Sequence, residues 1–272
     1  MPVDADLRSL DIDVPARPDA LVRMSLLLAD EEINLVAVGS LVESDMALAA
    51  AVMKAVNSSL YGLKGRVNSV HQAVTYLGTR EVAGITFEMG LRAAFASSPD
   101  LEPIWTRAGQ RGLIMGRLGE ALGLDAWAAH SAGLFEECGK AVLYRHAPDH
   151  YPAMLRAAAS DVELREIERM GFGVCHDVLG AALCDSWGLS AVAVACVRQH
   201  IEAQTQQRIE GPAPRRQVLA LSVLAHAMMR HPDQLDALAE ALAPRADLDG
   251  AAVLRVARRL QATLAQNAEH GR

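Results

Sequence analysis

Residues 44–62 read SDMALAAAVMKAVNSSLYG, a short apolar segment between a polar start and a polar end. Ser44 or Asp45 can accept hydrogen bonds from the unpaired N–H groups that begin a helix. The apolar run then predicts a helix over Met46–Val56, and the cluster that follows it, NSSLYG, is typical of a turn.

The next stretch, VNSVHQAVTYLG at residues 67–78, repeats this arrangement. Ser69 and Gln72 have the spacing of a capping box, in which side chains at a helix start pair with its free N–H groups. Gly78 suits a helix end, because glycine adopts backbone angles that other residues resist. A helix over Val70–Leu77 follows, with Thr79 expected to cap the next helix.

The composition extends this helical reading to the whole chain. Hydrophobic residues make up 51% of the 272 residues, yet aromatic residues make up only 4%. Alanine and leucine, which favour helices, supply most of the apolar content, and residues that favour strands are sparse. The chain is therefore predicted to be all-α, with one continuous helix expected over about residues 125–145.

Hydropathy, charge and motif content disfavour several classes of protein. No uncharged apolar run approaches the roughly 18 residues of a membrane span, and the acidic N-terminus does not resemble a secretory signal. The net charge of −7 disfavours nucleic-acid binding. No phosphate-binding GxxxxGK[ST] loop is present. The cysteines lack CxxC spacing, so we expect reduced core thiols in a cytoplasmic protein: Cys138, Cys175, Cys184 and Cys196.

The stretches at 44–62 and 67–78 together resemble the signature of the HDOD family. GLFEECGK at 133–140 is similar to the core motif of HD phosphohydrolases, and GVCHDVLG at 173–180 continues the family order. The resemblance covers about residues 18–230. It implies an all-helical HD-like fold, with an N-terminal helical lobe packed on a degenerate HD lobe.

This resemblance predicts a domain order. A flexible N-terminal arm, 1–16, precedes an HDOD-like domain at 17–230, and a helical extension occupies 231–272. Within the domain we expect an N-terminal lobe at about 17–100, a linking helix at about 103–122 and an HD-like lobe at about 123–230. The linking helix carries glycines along one face, which predicts close approach to a neighbouring helix: Gly109, Gly112, Gly116, Gly119 and Gly123.

The positions that bind metal in an HD enzyme are replaced. Such an enzyme holds a divalent metal with a histidine, a His-Asp pair and a later aspartate. Here the pair is Glu136-Glu137, no histidine occurs near 105–107, and no aspartate occurs near 224–226. The resemblance therefore implies no catalytic residues, no metal and no cofactor.

A remnant of the HD pocket is expected to gather five residues: Glu136, Glu137, His176, His200 and His226. Two readings stay open, a pocket closed by carboxylate–imidazole hydrogen bonds and a pocket that takes up an adventitious metal. His176-Asp177 is an HD dipeptide in the wrong helix, and we interpret Asp177 as a solvated surface residue.

The turn at Asn57, Ser58 and Ser59 is a candidate recognition site, since polar loop residues often carry function. The alternative is that these side chains only satisfy the end of the preceding helix.

The function expected from the resemblance is a non-catalytic bacterial signalling module with a protein partner in its pathway. The alternatives are a divergent metal phosphohydrolase acting on a nucleotide or cyclic dinucleotide, and a sensor that binds a small molecule in the remnant pocket. Nucleic acid is not expected as a partner.

Overall fold

The computed structural model describes residues 12–28, 34–58, 60–61, 63 and 67–270. Within these ranges all regular secondary structure is helical and no strand occurs, which confirms the all-α prediction. The described residues form two compact units. The smaller unit contains residues 17–94 and the C-terminal residues from 256 on, and the larger unit contains residues 12–16 and 95–255.

The smaller unit begins with five helices in succession. They are α1 (Asp19–Leu28), α2 (Leu35–Glu43), α3 (Met46–Val56), α4 (Val70–Leu77) and α5 (Thr79–Ala93). The larger unit continues with α6 (Glu102–Ala121), α7 (Ala126–Phe135), α8 (Cys138–His146), α9 (Tyr151–Ala157), α10 (Asp161–Phe172), α11 (His176–Ser186), α12 (Ala191–Gln206), α13 (Ala213–Arg230) and α14 (Leu235–Leu242). The last helix, α15 (Gly250–His270), begins in the larger unit and continues into the smaller one.

Side-chain caps fix the helix starts in the smaller unit. Asp45 accepts from the backbone N–H groups of Ala47 and Leu48 at 2.9 and 3.1 Å, and Ser69 accepts from the N–H of Gln72 at 3.1 Å. The predicted bounds of α3 and α4 are confirmed. Thr79 is instead the first residue of α5 and provides no cap, because Gly78 stands at the capping position.

Glycines bring α6 against α7 in the larger unit. A Cβ atom at Gly116 would lie 3.1 Å from the Cβ of His130, and one at Gly112 would lie 3.3 Å from the Cβ of Leu134. A Cβ at Gly119 would lie 3.1 Å from the backbone of Ala126. The close approach predicted for this glycine face is therefore observed at these three positions.

The single helix expected over 125–145 is wrong. The helix is interrupted at Glu136-Glu137, where α7 ends and α8 begins. Neither glycine nor proline marks this break, so residue propensity gave no signal for it. Glu136 and Glu137 are nevertheless buried, with 0% and 3% of their surfaces exposed. The break turns two adjacent carboxylates into the interior of the larger unit.

Residues 12–16 contact later residues of the larger unit to which they belong. The indole N–H of Trp187 donates to the backbone carbonyl of Pro15 at 2.9 Å, and both residues are buried. Arg145 pairs with Asp13 at 2.7 Å on the surface. Residues 1–11 of the predicted N-terminal arm lie outside the described ranges, and the domain boundaries stay a prediction.

All four cysteines are buried, as expected for core residues, and no disulfide joins them in the structure. Burial raises the pKa of the Cys184 and Cys196 thiols well above their usual value. Because the thiolate is the reactive form, these side chains are inert core groups.

Across the described residues, none of the helices has by itself the length and apolar character that crossing a bilayer requires. Taken together, α2 and α3 would meet that requirement by length and composition only, with a bend of 115° between them.

We expect Gly116→Leu to destabilise the protein by about 1–3 kcal/mol, because the new side chain would overpack the contact with His130. Denaturant midpoints at equal protein concentration measure the change. Ala121→Leu is the matched control, since it adds the same side chain at an exposed position of α6 and should shift stability by less than about 0.5 kcal/mol. A Gly116→Leu protein as stable as wild type would show that α6 and α7 can separate without cost.

Candidate functional site

The carboxylate of Glu137 lies at the centre of a buried ionic cluster. Arg107 donates from Nε and from one terminal nitrogen, at 3.0 and 2.8 Å, and Arg111 donates at 2.6 Å. Lys140 donates from its ammonium at 2.6 Å. Burial by itself would raise the pKa of Glu137, but Lys140 and the two arginines outweigh it and hold that pKa well below its usual value.

Glu136 is held by a second set of contacts. The Nε of Arg111 lies 2.9 Å from one of its oxygens. The amide of Gln204, on α12, donates to Glu136 at 3.0 Å and to the hydroxyl of Ser222 at 3.0 Å, and Ser222, on α13, donates to Glu136. The two adjacent carboxylates thus tie α6 to the helices that follow.

Glycines permit this arrangement. A Cβ at Gly133 would lie 2.9 Å from the carbonyl oxygen of Arg111, and one at Gly139 would overlap the carbonyl oxygen of His176. Only glycine therefore fits at these two helix crossings, which bring α7 against α6 and α8 against α11.

Asp161, the first residue of α10, extends the cluster towards the surface. Lys140 bridges Glu137 and Asp161, donating to the latter at 2.7 Å. Burial raises the pKa of Asp161, and the Lys140 ammonium more than offsets this effect, so the pKa falls to about 2. Its side chain keeps 37% of its surface exposed.

His176 is fixed by Glu168, a buried carboxylate on α10. The Nδ1 of His176 lies 2.7 Å from one oxygen of Glu168, and the backbone N–H of His176 donates to the same oxygen at 2.8 Å. The hydroxyl of Tyr151 donates to Glu168 at 2.5 Å. Burial, with the charge of Glu168, raises the pKa of Tyr151 well above its usual value, so this hydroxyl keeps its proton.

His200 lies beside His176, with 6.0 Å between their ring centres. Its Nδ1 donates to the carbonyl of Val197 at 2.7 Å. Burial lowers the pKa of His200, which favours the neutral imidazole.

His226 lines a cavity that is also lined by His200 and Asp161. It is half-buried, and burial lowers its pKa. Its ring lies 6.0 Å from that of His231. The cavity measures about 740 Å³, and its lining includes Arg107, Arg111, Lys140, Asp161 and His200.

The structure thus brings the five predicted pocket residues into one region of the larger unit, in three separate groups. Glu136 and Glu137 join the arginine cluster, His176 and His200 lie together, and His226 lines the cavity. Their shared role as a functional pocket stays a prediction.

The interpretation of Asp177 as a solvated residue is wrong. Asp177 is 1% exposed and accepts from Arg198 at 2.5 Å, with Arg165 at 3.8 Å. Two arginines from other helices cover the carboxylate, so it forms a buried ion pair that the sequence did not reveal.

One residue of the candidate recognition turn forms hydrogen bonds within the fold. The side chain of Asn57 donates to the carbonyls of Met53 and Val67 at 3.1 and 2.9 Å, closing the turn after α3. These bonds fit the alternative in which the side chain satisfies the helix end. Ser59 lies outside the described residues, and recognition by this turn stays a prediction.

Sequence reasoning missed the partners that define the cluster: Arg107, Arg111, Lys140, Asp161 and Glu168. Charged residues on amphipathic helices are usually solvated, so their burial gave no local signal. One hint existed. Lys140 ends the GLFEECGK motif, three residues after Glu137, which is a spacing that places both on one helical face.

A family model of the HDOD domain matches residues 14–203. The chain belongs to the HDOD family. An uncharacterised protein of Treponema pallidum (strain Nichols) is 24% identical over 192 residues, which are 69% of this chain and 37% of that protein. The chain therefore spans little more than a third of the length of the curated relative that it matches.

Solved structures share the HDOD fold. A protein of Marinobacter aquaeolei VT8, provisionally named a signal transduction protein, has a TM-score of 0.70 and 23% identity over 96% of this chain and 60% of its own. A provisionally named phosphohydrolase of Shewanella amazonensis SB2B has a TM-score of 0.70 and 17% identity, over 98% of this chain and 97% of its own. An HDOD domain protein of unknown function from Geobacter sulfurreducens also has a TM-score of 0.70, with 18% identity over 96% of this chain and 95% of its own.

The metal of an HD enzyme does not fit at Glu136-Glu137. The Glu137 carboxylate, which the resemblance aligns with the aspartate of the pair, is already bound by two guanidinium groups and one ammonium. A cation bound there would have to displace Arg107, Arg111 or Lys140 and would meet the charge of the other two.

We expect Glu137→Gln to destabilise the protein by about 3–5 kcal/mol, because it leaves three cations without their shared carboxylate. Chemical denaturation at pH 7 measures the change. Glu240→Gln, at an exposed position of α14, is the control and should stay within about 0.5 kcal/mol of wild type. Equal midpoints for the two variants would show that the cluster contributes nothing to stability.

The stabilising effect of Glu137 should depend on pH. Because its pKa is lowered on folding, its contribution is present above the unfolded-state pKa, about 4.3, and is lost as the pH falls towards the folded-state value. The stability difference between wild type and Glu137→Gln should therefore be largest near pH 7 and narrow towards pH 3. Denaturant midpoints at four pH values test this, and a gap that widens in acid would contradict it.

Proposed function

We propose that this HDOD protein is a non-catalytic signal-transduction module that acts by contact with a protein partner. One observation carries the proposal: Glu137, at the position of the metal-binding aspartate of HD enzymes, is bound by Arg107, Arg111 and Lys140. Fixed protein cations there supply the positive charge that a metal supplies in an HD enzyme, and they hold the helices in place without it.

The chemistry of phosphoester hydrolysis favours this proposal over the phosphohydrolase alternative. Metal hydrolases use the bound ion to lower the pKa of a water molecule and to polarise the phosphate. Guanidinium and ammonium groups supply positive charge, but they do not generate a hydroxide nucleophile. The provisional names of the Marinobacter and Shewanella proteins include both roles, and this substitution favours the signalling role here.

A second candidate is a sensor that binds a small molecule in the cavity. Its volume of about 740 Å³ falls within the range of about 300–1,000 Å³ found for small-molecule sites. Arg107 and His226 contribute polar groups to its wall. A ligand bound there would contact the helices that carry the ionic cluster, so it could change the surface offered to a protein partner.

We expect the purified chain to hydrolyse neither phosphomonoesters nor cyclic dinucleotides in the presence of Mg²⁺ or Mn²⁺. Phosphate release and nucleotide chromatography measure turnover over several hours. The double variant Glu137→Ala, His176→Ala, purified identically, is the control for contaminating phosphatase. Turnover by wild type that disappears in a folded double variant would overturn the non-catalytic proposal.

Photo-crosslinking in cells that produce this protein tests for a protein partner. The photo-crosslinking residue replaces Ser58, beside Asn57 in the candidate recognition turn. A discrete cross-linked protein supports the proposal, provided that the same residue placed at the exposed Ala237 of α14 does not capture it. Equal capture from both positions would contradict recognition by the turn.

A further inference from the structure

Three side chains with metal-binding chemistry converge in the larger unit, apart from the Glu136-Glu137 pair. Asp161 begins α10, His176 begins α11, and His200 lies in α12. One ligand atom from each residue lies within 4.8 Å of those of the other two. Small side-chain rotations would bring all three within the bond lengths of about 2.0–2.2 Å that zinc makes to nitrogen and oxygen.

Both imidazoles are held by Nδ1, so Nε2 is the ring nitrogen left to act as a ligand. The carbonyl of Val197 can only accept, so the Nδ1 of His200 carries the proton and its Nε2 keeps a lone pair. The Nδ1 of His176 is held in the same way by the Glu168 carboxylate. A carboxylate or carbonyl on Nδ1 is the arrangement that orients histidine ligands in metal sites.

Neither Nε2 atom has a hydrogen-bond partner among the residues that the structure describes. Both side chains are almost fully buried, with 0% of His176 and 1% of His200 exposed. A buried polar atom without a partner is costly, so each such atom calls for an explanation, such as an ion at the site.

The surroundings of Glu168 also favour a bound cation. This carboxylate is fully buried, and its contacts are the Tyr151 hydroxyl and two groups of His176. In the part of the chain that the structure describes, neither lysine nor arginine pairs with it. Buried charges are normally paired or coordinate metals, and a cation on the far side of the His176 ring would balance this one through the imidazole.

We propose that Asp161, His176 and His200 bind one divalent transition-metal ion, such as Zn²⁺. Two imidazoles and one carboxylate favour zinc and its neighbours over Mg²⁺ or Ca²⁺, which prefer oxygen ligands. His176 and His200 belong to the remnant pocket expected from the HD resemblance, whereas Asp161 does not, and none of the three lies at the His-Asp pair that Glu136 and Glu137 replace. The ion would have coordination positions left for water or for an anionic group entering the cavity, which Asp161 and His200 both line.

Lys140 is the competing cation at this site. Its ammonium donates to one oxygen of Asp161 and also to Glu137. Asp161 retains a second oxygen that Lys140 does not contact, so one carboxylate oxygen is left for the ion. The site would then join the metal to the ionic cluster through one shared aspartate.

The test is calorimetric titration of the full chain with ZnCl₂, after chelator treatment, in a non-coordinating buffer. We expect one equivalent to bind. Asp161→Asn should weaken binding by at least about tenfold, because loss of a ligand exceeds the roughly 10–100-fold effect of losing an outer-shell partner. Asp100→Asn is the matched control, since it removes a similarly exposed aspartate from the same cavity and should leave affinity unchanged.

His200→Ala should abolish stoichiometric binding, with helix content checked by circular dichroism. Should that variant fail to fold, ¹⁵N-histidine spectra of the wild-type chain give an independent reading. Zn²⁺ should shift the Nε2 resonances of two histidines whose Nδ1 atoms are protonated, and those should be His176 and His200. Binding unchanged by Asp161→Asn, several weak equivalents, or a response confined to His226 and His231 would each overturn the site and indicate an adventitious ion only.

This inference stands apart from the proposed function. Hydrolysis by the zinc-loaded protein would overturn the non-catalytic proposal and leave the metal site intact. Absence of zinc binding, together with absence of turnover, would overturn the metal site and leave the signalling proposal in place.

Discussion

Three helices of the larger unit depend on the carboxylate of Glu137. Arg107 and Arg111 reach it from α6, Lys140 reaches it from the first turn of α8, and Lys140 extends the connection to Asp161 on α10. A buried ion pair is expensive to desolvate, and it stabilises a fold only where its hydrogen bonds are well satisfied. Here one carboxylate accepts from three cations, so the cluster specifies how these helices pack.

The backbone makes room for that cluster. Glycine at Gly133 lets α7 approach the turn of α6 that carries Arg111, and glycine at Gly139 lets α8 cross α11 beside His176. A methyl group at either crossing would push the helices apart and lengthen the ionic contacts. Backbone packing and charge placement are thus linked. The two glycines allow the helices to approach closely, and this approach lets the long charged side chains reach their partners.

Local chemistry explains what the sequence could predict. Asp45 and Ser69 are capping residues next to apolar runs, and both helix starts follow from them. The break at Glu136-Glu137 could not be predicted, since two glutamates are good helix residues and their arginine partners on α6 are distant in the chain. The burial of Asp177 and Glu168 was equally hidden, because it arises from partners distant in the chain. The sequence analysis placed His176 and His200 among the five expected pocket residues. Asp161, in contrast, looks like an ordinary acidic residue in the first turn of a helix, where a negative charge is favourable in any helix.

The hydrogen bond from Trp187 to Pro15 has a topological consequence. The chain enters the larger unit at residues 12–16, leaves it for residues 17–94, and returns at residue 95. The larger unit is therefore discontinuous in sequence, and a fragment that starts at residue 95 would lack the acceptor for a buried indole N–H. To isolate the larger unit, residues 12–16 must be retained, either joined covalently to residue 95 or added as a separate peptide.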